Sequence, residues 1–382
     1  MPKKISILGS TGSIGRNALK VIDNLKSDFE IVYLTANTNY QLLIKQALRY
    51  KPKAVGIVES ENAKEIESQL NQWNIDVLTG HEGLIEISKR SDVDLVLNAL
   101  VGISGMEPTL NALNAGNNVA LSNKESLVMA GQLVKNAQQK KGAKLYPVDS
   151  EHSAIWQCLQ GEDKTDVSKL ILTGSGGPFR ERSINTFSEI TPEEALKHPN
   201  WNMGNKITID SATMMNKGLE IIEAYWLFDF NVEDIDIVVH AQSIIHSMIE
   251  LQDGSVKAQL GVPDMKVPIQ YALTYPRHKS AEWERLDLIK LGKMTFEAPD
   301  YERFPSIKLA FDCLKKLGTT PAVLNIANEF AVYRFLNNEF KFIDIPKIVE
   351  QACSEHYWIE SPTLSDLQNL IGWSKDFVKS YK

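Results

Sequence analysis

The chain has 382 residues, 43% hydrophobic and 23% charged, and 41 Lys and Arg against 48 Asp and Glu give a formal charge of −7. That apolar content suffices for two or three domains with buried cores, and it excludes disorder, a collagen-like repeat and a disulfide scaffold. The acidic balance excludes a duplex nucleic-acid binder, which needs a basic face; a pocket for an anionic small molecule can still be locally basic.

The chain enters a strand almost at once, at Ile5-Ser6-Ile7-Leu8. No basic segment followed by an apolar one precedes it, so no signal or transit peptide is expected. No apolar run approaches about 18 residues, so no membrane span is expected. The three cysteines, Cys158, Cys313 and Cys353, are widely spaced without a CxxC pair. That suits a reducing compartment and a cytoplasmic protein.

Further buried strands are predicted at 31–34, 54–58, 95–97, 118–121 and 144–148, with helices over 15–24, 40–50, 63–72 and 124–140. Strand–helix alternation predicts a Rossmann-like, doubly wound parallel sheet over residues 1–150. A central α/β domain with a partly antiparallel sheet is expected over 151–295. Its strands are read at 169–173, 235–239 and 255–260, and its helices near 151–159, 191–197, 212–228 and 265–274. After a linker at 296–304 only helical periods remain, at 305–317, 320–337, 344–355 and 363–380, punctuated by Gly318, Pro321, Pro346 and Pro362. This predicts a C-terminal helical bundle over 305–382.

Gly9-Ser10-Thr11-Gly12-Ser13-Ile14-Gly15 joins the first strand to the first helix. Glycines let the backbone turn tightly beside a pyrophosphate, the helix N-terminus offers free N–H groups, and Ser10, Thr11 and Ser13 add hydroxyls. The second strand ends in Asn37-Thr38-Asn39, without the carboxylate that would hold a free ribose 2′-hydroxyl. This leans toward NADP over NAD; the other reading of these three residues is a turn and helix cap.

Asp149-Ser150-Glu151-His152 follows the sixth predicted strand, at the carboxyl edge of the sheet where ligands bind. Two readings stay open: hard oxygen ligands for a divalent cation, or a helix cap. Lys124 opens a helix against its dipole at the same edge, which favours a functional role. Asn216, Lys217 and Glu220 share a helix face after Ser211, a natural N-cap. That stripe suits a phosphate plus a metal, or is a surface Lys–Glu pair; Gly218 and the apolar residues around it point to burial and close approach. Thr173-Gly174-Ser175-Gly176-Gly177-Pro178 is a second glycine turn of the anion-cradling type. His198-Pro199-Asn200-Trp201-Asn202-Met203-Gly204 reads as a lid carrying a tryptophan, or as core around Trp201.

Together, and in this order, these segments resemble the 1-deoxy-D-xylulose 5-phosphate reductoisomerase family, as do Ser122-Asn123-Lys124-Glu125-Ser126 and Asp210 to Glu220. The resemblance implies that Asp149, Glu151 and Glu220 ligate Mg²⁺ or Mn²⁺. It implies that Ser175, Ser211, Asn216 and Lys217 hold the substrate phosphate, and that Lys124 and Ser150 hold its hydroxyl and carbonyl end. His198 opens the lid, and Trp201 covers the substrate. Thr11, Gly12, Ser13, Ile14, Asn37, Thr38, Asn39, Asn123, Glu125 and Gly204 match positions that touch NADPH. Many members carry glycine at position 37 and a basic residue or serine at 38; Thr38 keeps a hydroxyl but supplies no charge. The implied reaction is a retro-aldol and aldol rearrangement, then hydride transfer from NADPH to an aldehyde, giving 2-C-methyl-D-erythritol 4-phosphate for isoprenoid synthesis. Lys124 and Glu151 are candidates for proton transfer by position. The family implies a homodimer, with no nucleic acid or membrane partner. Another two-domain NADP dehydrogenase would need neither three carboxylates nor a phosphate pocket, and a nucleotide sensor would tolerate loss of Asp149, Glu151 and Glu220.

Overall fold

The computed structural model describes residues 1–201 and 203–381; Asn202, in the predicted lid, and Lys382 lie outside them. The chain forms two compact units: residues 1–126, 132–153 and 264–283, and residues 127–131, 154–263 and 284 onward.

The first unit is built on parallel strands β1 (Lys3–Leu8), β2 (Phe29–Ala36), β3 (Ala54–Ile57), β4 (Asp76–Thr79), β5 (Leu95–Asn98), β6 (Asn118–Leu121) and β7 (Leu145–Pro147). Their order is β4-β3-β2-β1-β5-β6-β7. The central strands are buried on both faces, as continuous apolar runs in a parallel sheet require. Between the strands run α1 (Ser13–Leu25), α2 (Tyr40–Tyr50), α3 (Ala63–Leu70), α4 (Gly80–Lys89), α5 (Met106–Asn114) and α6 (Lys124–Lys141); α7 (Ser150–Cys158) follows β7. The order reverses direction between β1 and β5, the switch point where such sheets bind ligands.

Strand β4 and helices α4 and α5 were not anticipated. β4 is a four-residue edge strand that opens on an exposed Asp76 and is otherwise half-buried, so it lacks the apolar run of its neighbours. In α5, Pro108 reads as a breaker but stands in the first turn, where no intrahelical N–H is lost.

In the second unit β8 (Val167–Gly174) is followed by α8 (Pro192–Ala195), α9 (Asn205–Ala212) and α10 (Met215–Phe228). Then come β9 (Ile235–Val239), β10 (Ile245–Leu251) and β11 (Val256–Leu260). The sheet order is β11-β10-β8-β9, with β8 and β9 parallel and β10 antiparallel to both its neighbours. The partly antiparallel sheet is therefore as expected. β10 itself escaped the sequence pattern because His246 and Ser247 are buried within it and break the alternation.

The predicted helix at 265–274 forms α11 (Lys266–Thr274), and it packs in the first unit. There the Lys3 ammonium donates to Leu273 O (3.0 Å), and Tyr146 and Tyr275 meet at 5.6 Å between ring centres. After the short α12 (Leu288–Leu291) come α13 (Pro305–Lys316), α14 (Thr320–Leu336), α15 (Asp344–Glu355) and α16 (Leu364–Ser380), close to their predicted bounds.

One predicted boundary is corrected. Ser211 is not the N-cap of the helix carrying Lys217; it lies in the last turn of α9. The chain breaks at Met214, which adopts a left-handed conformation (φ 58°), and α10 starts after it. Close approach at Gly218 is as expected: a Cβ there would lie 2.7 Å from Ala310 Cβ of α13.

Among the described residues no helix is long and apolar enough to cross a membrane.

Candidate active site

At the switch point of the first unit, the three glycines divide their work. Gly9 is left-handed (φ 85°), and a Cβ there would stand 2.8 Å from Ala99 O at the end of β5. A Cβ on Gly15 would overlap the Gly9 carbonyl. These two glycines are required by packing. Gly12 is exposed, and a Cβ on it would meet only Gly9 O at 3.4 Å. It precedes α1, and among the described residues no side chain caps that helix. The first N–H groups of α1, next to Thr11, Gly12, Ser13 and Ile14, therefore face outward for an anion.

Ser10 departs from its expected role as a ligand hydroxyl. It is fully buried, and its Oγ donates to Thr35 O (3.1 Å) and Gln46 Oε1 (2.6 Å). The side chain is turned inward to fix the loop.

Asn37, Thr38 and Asn39 are exposed at the end of β2. Asn39 also caps α2, its Oδ1 accepting from Leu42 N (3.1 Å). Asn123 is 1% exposed, and its amide donates to Leu100 O (3.1 Å), Gly102 O (2.9 Å) and Glu125 Oε2 (3.2 Å). Its Oδ1 accepts from Ser126 N at 3.0 Å as a helix cap. The Asn123 side chain thus ties the end of β6 to the loop after β5.

The next helix start carries the carboxylates. Asp149 Oδ1 accepts from Ser150 N (2.9 Å), and its Oδ2 is ion-paired with Lys124. Ser150 Oγ donates to Glu151 Oε2 (2.6 Å). Lys124 is 4% exposed, which places its ammonium in the site instead of in solvent. The expected grouping of Lys124, Asp149, Ser150 and Glu151 at this sheet edge is present. His152 is fully buried behind it, with Nδ1 3.8 Å from Asp149 Oδ2.

In the second unit the residues read as a phosphate pocket gather around the glycine turn after β8. A Cβ at Gly174 would press on Lys217 Cε at 2.9 Å, and one at Gly177 would lie 2.6 Å from Ser211 O. The bare backbone therefore lets α9 and α10 close onto the Ser175 turn. Lys217 and Glu220 form an ion pair, and Asn216 donates to the same carboxylate. Lys217 is 4% and Glu220 0% exposed, so the surface-pair reading is overturned. A buried charge pair survives only when further hydrogen bonds satisfy it, and Asn216 supplies one.

His198 Nδ1 accepts from Asn200 N (3.2 Å) and Trp201 N (3.0 Å). It is therefore the lone-pair nitrogen, and Nε2 carries the proton toward Ser175 Oγ at 3.3 Å. Burial holds the His198 pKa below its usual value. Trp201 is half-buried, its ring 6.3 Å from that of His246, and Gly204 precedes α9. Asn200, which in the sequence is only one turn residue among several, fastens this segment through its amide to Ala241 O (2.7 Å) and Ser243 Oγ (3.0 Å).

The donor sets fit the groups they are read for. Carboxylates are the hard oxygen ligands that Mg²⁺ and Mn²⁺ prefer, and Asp149 Oδ2 is buried with the Lys124 ammonium against it as a counter-charge. An uncapped helix start behind a glycine turn fits a pyrophosphate.

Fold and site define a dinucleotide-binding, metal-dependent oxidoreductase. Residues 5–131 match the family described as 1-deoxy-D-xylulose 5-phosphate reductoisomerase, and residues 145–228 and 260–377 match its two C-terminal domain families. The chain is 51% identical to the reductoisomerase of Chloroherpeton thalassium, over 98% of this chain and 97% of the relative. It is 48% identical to that of Heliobacterium modesticaldum, over 99% and 97%. The Zymomonas mobilis enzyme in complex with NADPH superposes with a TM-score of 0.93 at 42% identity, covering 99% of this chain and 98% of that one. A reductoisomerase in complex with NADPH, fosmidomycin and magnesium gives 0.93 at 39%, with the same coverage. The chain belongs to the 1-deoxy-D-xylulose 5-phosphate reductoisomerase family.

Proposed function

We propose that this chain converts 1-deoxy-D-xylulose 5-phosphate to 2-C-methyl-D-erythritol 4-phosphate with NADPH and Mg²⁺ or Mn²⁺, using the residues described above. The observation that carries the reading is the glycine turn at 174–177, whose missing side chains admit the Lys217 stem and the Ser211 backbone beside Ser175. Two hydroxyls, an amide, an ammonium and a neutral His198 N–H make a cradle for a dianionic phosphate.

Asp149, Glu151 and Glu220 would hold the divalent cation, which when bound supplies a Lewis acid for the substrate's carbonyl and hydroxyl oxygens. Lys124, buried and cationic beside Asp149, would hold the substrate's oxygen end. It would also steady negative charge developing there. Ser150 orients Glu151 by its hydrogen bond and would offer its hydroxyl lone pair side to the substrate. Ser175, Ser211, Asn216 and Lys217 would anchor the phosphate, which is remote from the reacting carbons, so its binding energy can hold His198 and Trp201 over the substrate. Trp201 would then exclude water from the reacting fragments. Thr11, Gly12, Ser13 and Ile14 would receive the pyrophosphate of NADPH, and Asn37, Thr38 and Asn39 its 2′-phosphate. Asn123, Glu125 and Gly204 would complete the contacts to NADPH.

We further propose a cytoplasmic homodimer. β11 is an edge strand with Val256 and Leu260 exposed, and Leu288 and Ile289 of the same unit are exposed as well. Light scattering on the purified protein tests the dimer. The activity is tested by NADPH oxidation with the sugar phosphate, with and without chelator; no turnover with metal present, in protein that binds NADPH, overturns the reading.

A further inference from the structure

Helix α9 has eight residues, too few to hold its own orientation in water. It nevertheless sits between the lid segment and the corner that starts α10, and it ends with Ser211 and Ala212. Its interior carries two opposite charges one turn apart. Lys206 Nζ and Asp210 Oδ2 are 2.8 Å apart, with the residues 5% and 1% exposed. Such a pair repays its desolvation only when the remaining oxygen is also satisfied.

The remaining oxygen, Asp210 Oδ1, accepts from Asn328 Nδ2 at 2.7 Å. Asn328 is fully buried in the middle of α14, where Leu324, Ala327 and Ala331 are buried and apolar and Asn325, one turn earlier, is a second buried amide. Packing alone would favour leucine or alanine there. The bond to Asp210 is what an amide adds.

From Asp210 the contacts run to both halves of the phosphate cradle. The Asp210 carbonyl accepts from Thr213 Oγ1 (3.2 Å), which in turn accepts from Met215 N (3.3 Å) at the start of the helix that carries Asn216 and Lys217. The next residue, Ser211, has its carbonyl against Gly177 of the glycine turn.

We infer that Asn328 is a positioning residue for the substrate phosphate: it fixes the Asp210 carboxylate, and with it the rotation of α9 that aims Ser211 and seats the 174–177 turn. The C-terminal helical segment thereby takes part in substrate recognition without touching the substrate. This rests on the reading of Ser211 and Lys217 as phosphate ligands.

Steady-state kinetics on three variants test it. Asn328→Leu keeps the volume and removes the bond. It is expected to raise KM for the sugar phosphate roughly tenfold or more, since small misplacements of binding groups are costly, with KM for NADPH within about twofold. Asn328→Asp sets two carboxylates face to face and is expected to be worse. Adding Asp210→Asn restores an amide-to-carboxylate hydrogen bond with the roles exchanged, leaves Lys206 an oxygen acceptor at position 210 and its counter-charge one hydrogen bond away at position 328, and is expected to bring KM for the sugar phosphate part of the way back from that of Asn328→Asp. Wild-type KM in Asn328→Leu, a uniform decline of kcat and both KM values together with Tm, or a double variant no better than Asn328→Asp overturns the inference. The exchanged pair conserves volume, so it decides the matter if Asn328→Leu does not fold. Ser211→Ala serves as the independent arm. If it leaves KM for the sugar phosphate unchanged, the phosphate reading itself fails; if it raises KM and Asn328→Leu does not, only the role of Asn328 fails.

Discussion

Gln46 and Ser10 hold each other through two hydrogen bonds, the serine hydroxyl donating to Gln46 Oε1 (2.6 Å) and the Gln46 amide donating to Ser10 O (3.0 Å). Both residues are buried. Gln46 belongs to α2, whose N-cap is Asn39, so the pair fastens the Gly9–Gly15 turn to the helix that begins at Asn39, the two turns proposed to take the pyrophosphate and the 2′-phosphate. Gln46→Leu would strand the Ser10 carbonyl without a donor. It is expected to cost about 1–3 kcal/mol of stability and to raise KM for NADPH more than KM for the sugar phosphate. Thermal melts and kinetics check this; an unchanged KM for NADPH would show the pair to serve packing alone.

The pair also shows where sequence reading stops. The alternation of apolar runs made most strands of the first sheet legible, and the four C-terminal helices follow from their punctuating glycine and prolines. β4 and β10 were hidden, one by being a short half-buried edge, the other by burying His246 and Ser247 in place of apolar residues. Nothing in Thr213-Met214-Met215 asks for a left-handed residue, and α9 has no expected counterpart in the pattern, so Ser211 reads as the cap of the helix carrying Lys217 when it ends α9. The site residues were legible as types at a sheet edge. Their supports were not: Gln46 and Asn328 show in the sequence only as amides among Leu43, Ile44 and Ala47, or Leu324 and Ala327. An amide set among apolar residues was the available signal, and in α14 it does not separate Asn328 from the equally buried Asn325.

Glu220 is buried with Lys217 and Asn216 on its carboxylate. Glu220→Gln keeps the shape, removes the charge proposed for the cation, and leaves Lys217 without its counter-charge. Turnover is expected to fall by about 10³-fold or more, the scale for losing a group that acts at the reacting atoms. NADPH affinity should stay within about twofold, because the glycine turn at Gly9–Gly15 is unaltered. Fluorescence titration of NADPH alongside turnover measures both; wild-type turnover would remove Glu220 from the site.

The tautomer of His198 predicts a pH dependence. Burial lowers its pKa below the ordinary value of 6.5, so the folded state holds the neutral ring. The stability it contributes is complete above the unfolded value and is lost as pH falls through that value toward the lowered one, because only the unfolded chain takes up the proton there. Protonating Nδ1 would also turn it from acceptor to donor against the N–H groups of Asn200 and Trp201. KM for the sugar phosphate is therefore expected to rise only once pH falls past the ordinary histidine value and through the lowered one. The phosphate titrates near pH 6 as well, so His198→Asn is the control: its side-chain oxygen accepts but does not titrate. That variant should have a higher KM throughout, but a weaker rise at low pH. Equal slopes for the two proteins would assign the dependence to the substrate.

Gly177 and Gly116 separate backbone strain from contact. Both are left-handed, at φ 70° and 87°. A Cβ on Gly116 would meet nothing within 4 Å, whereas one on Gly177 would stand 2.6 Å from the Ser211 carbonyl. Alanine at Gly116 carries the left-handed cost alone, about 1–2 kcal/mol, and should lower Tm without changing either KM. Alanine at Gly177 adds overpacking of the kind that costs a further 1–3 kcal/mol or so. The strain cannot relax without moving Ser211 away from the turn, so Gly177→Ala should raise KM for the sugar phosphate as well as lower Tm. Equal Tm losses in the two variants, with KM unchanged in both, would mean that the turn and Ser211 can part without consequence, and that this approach does not shape the phosphate cradle.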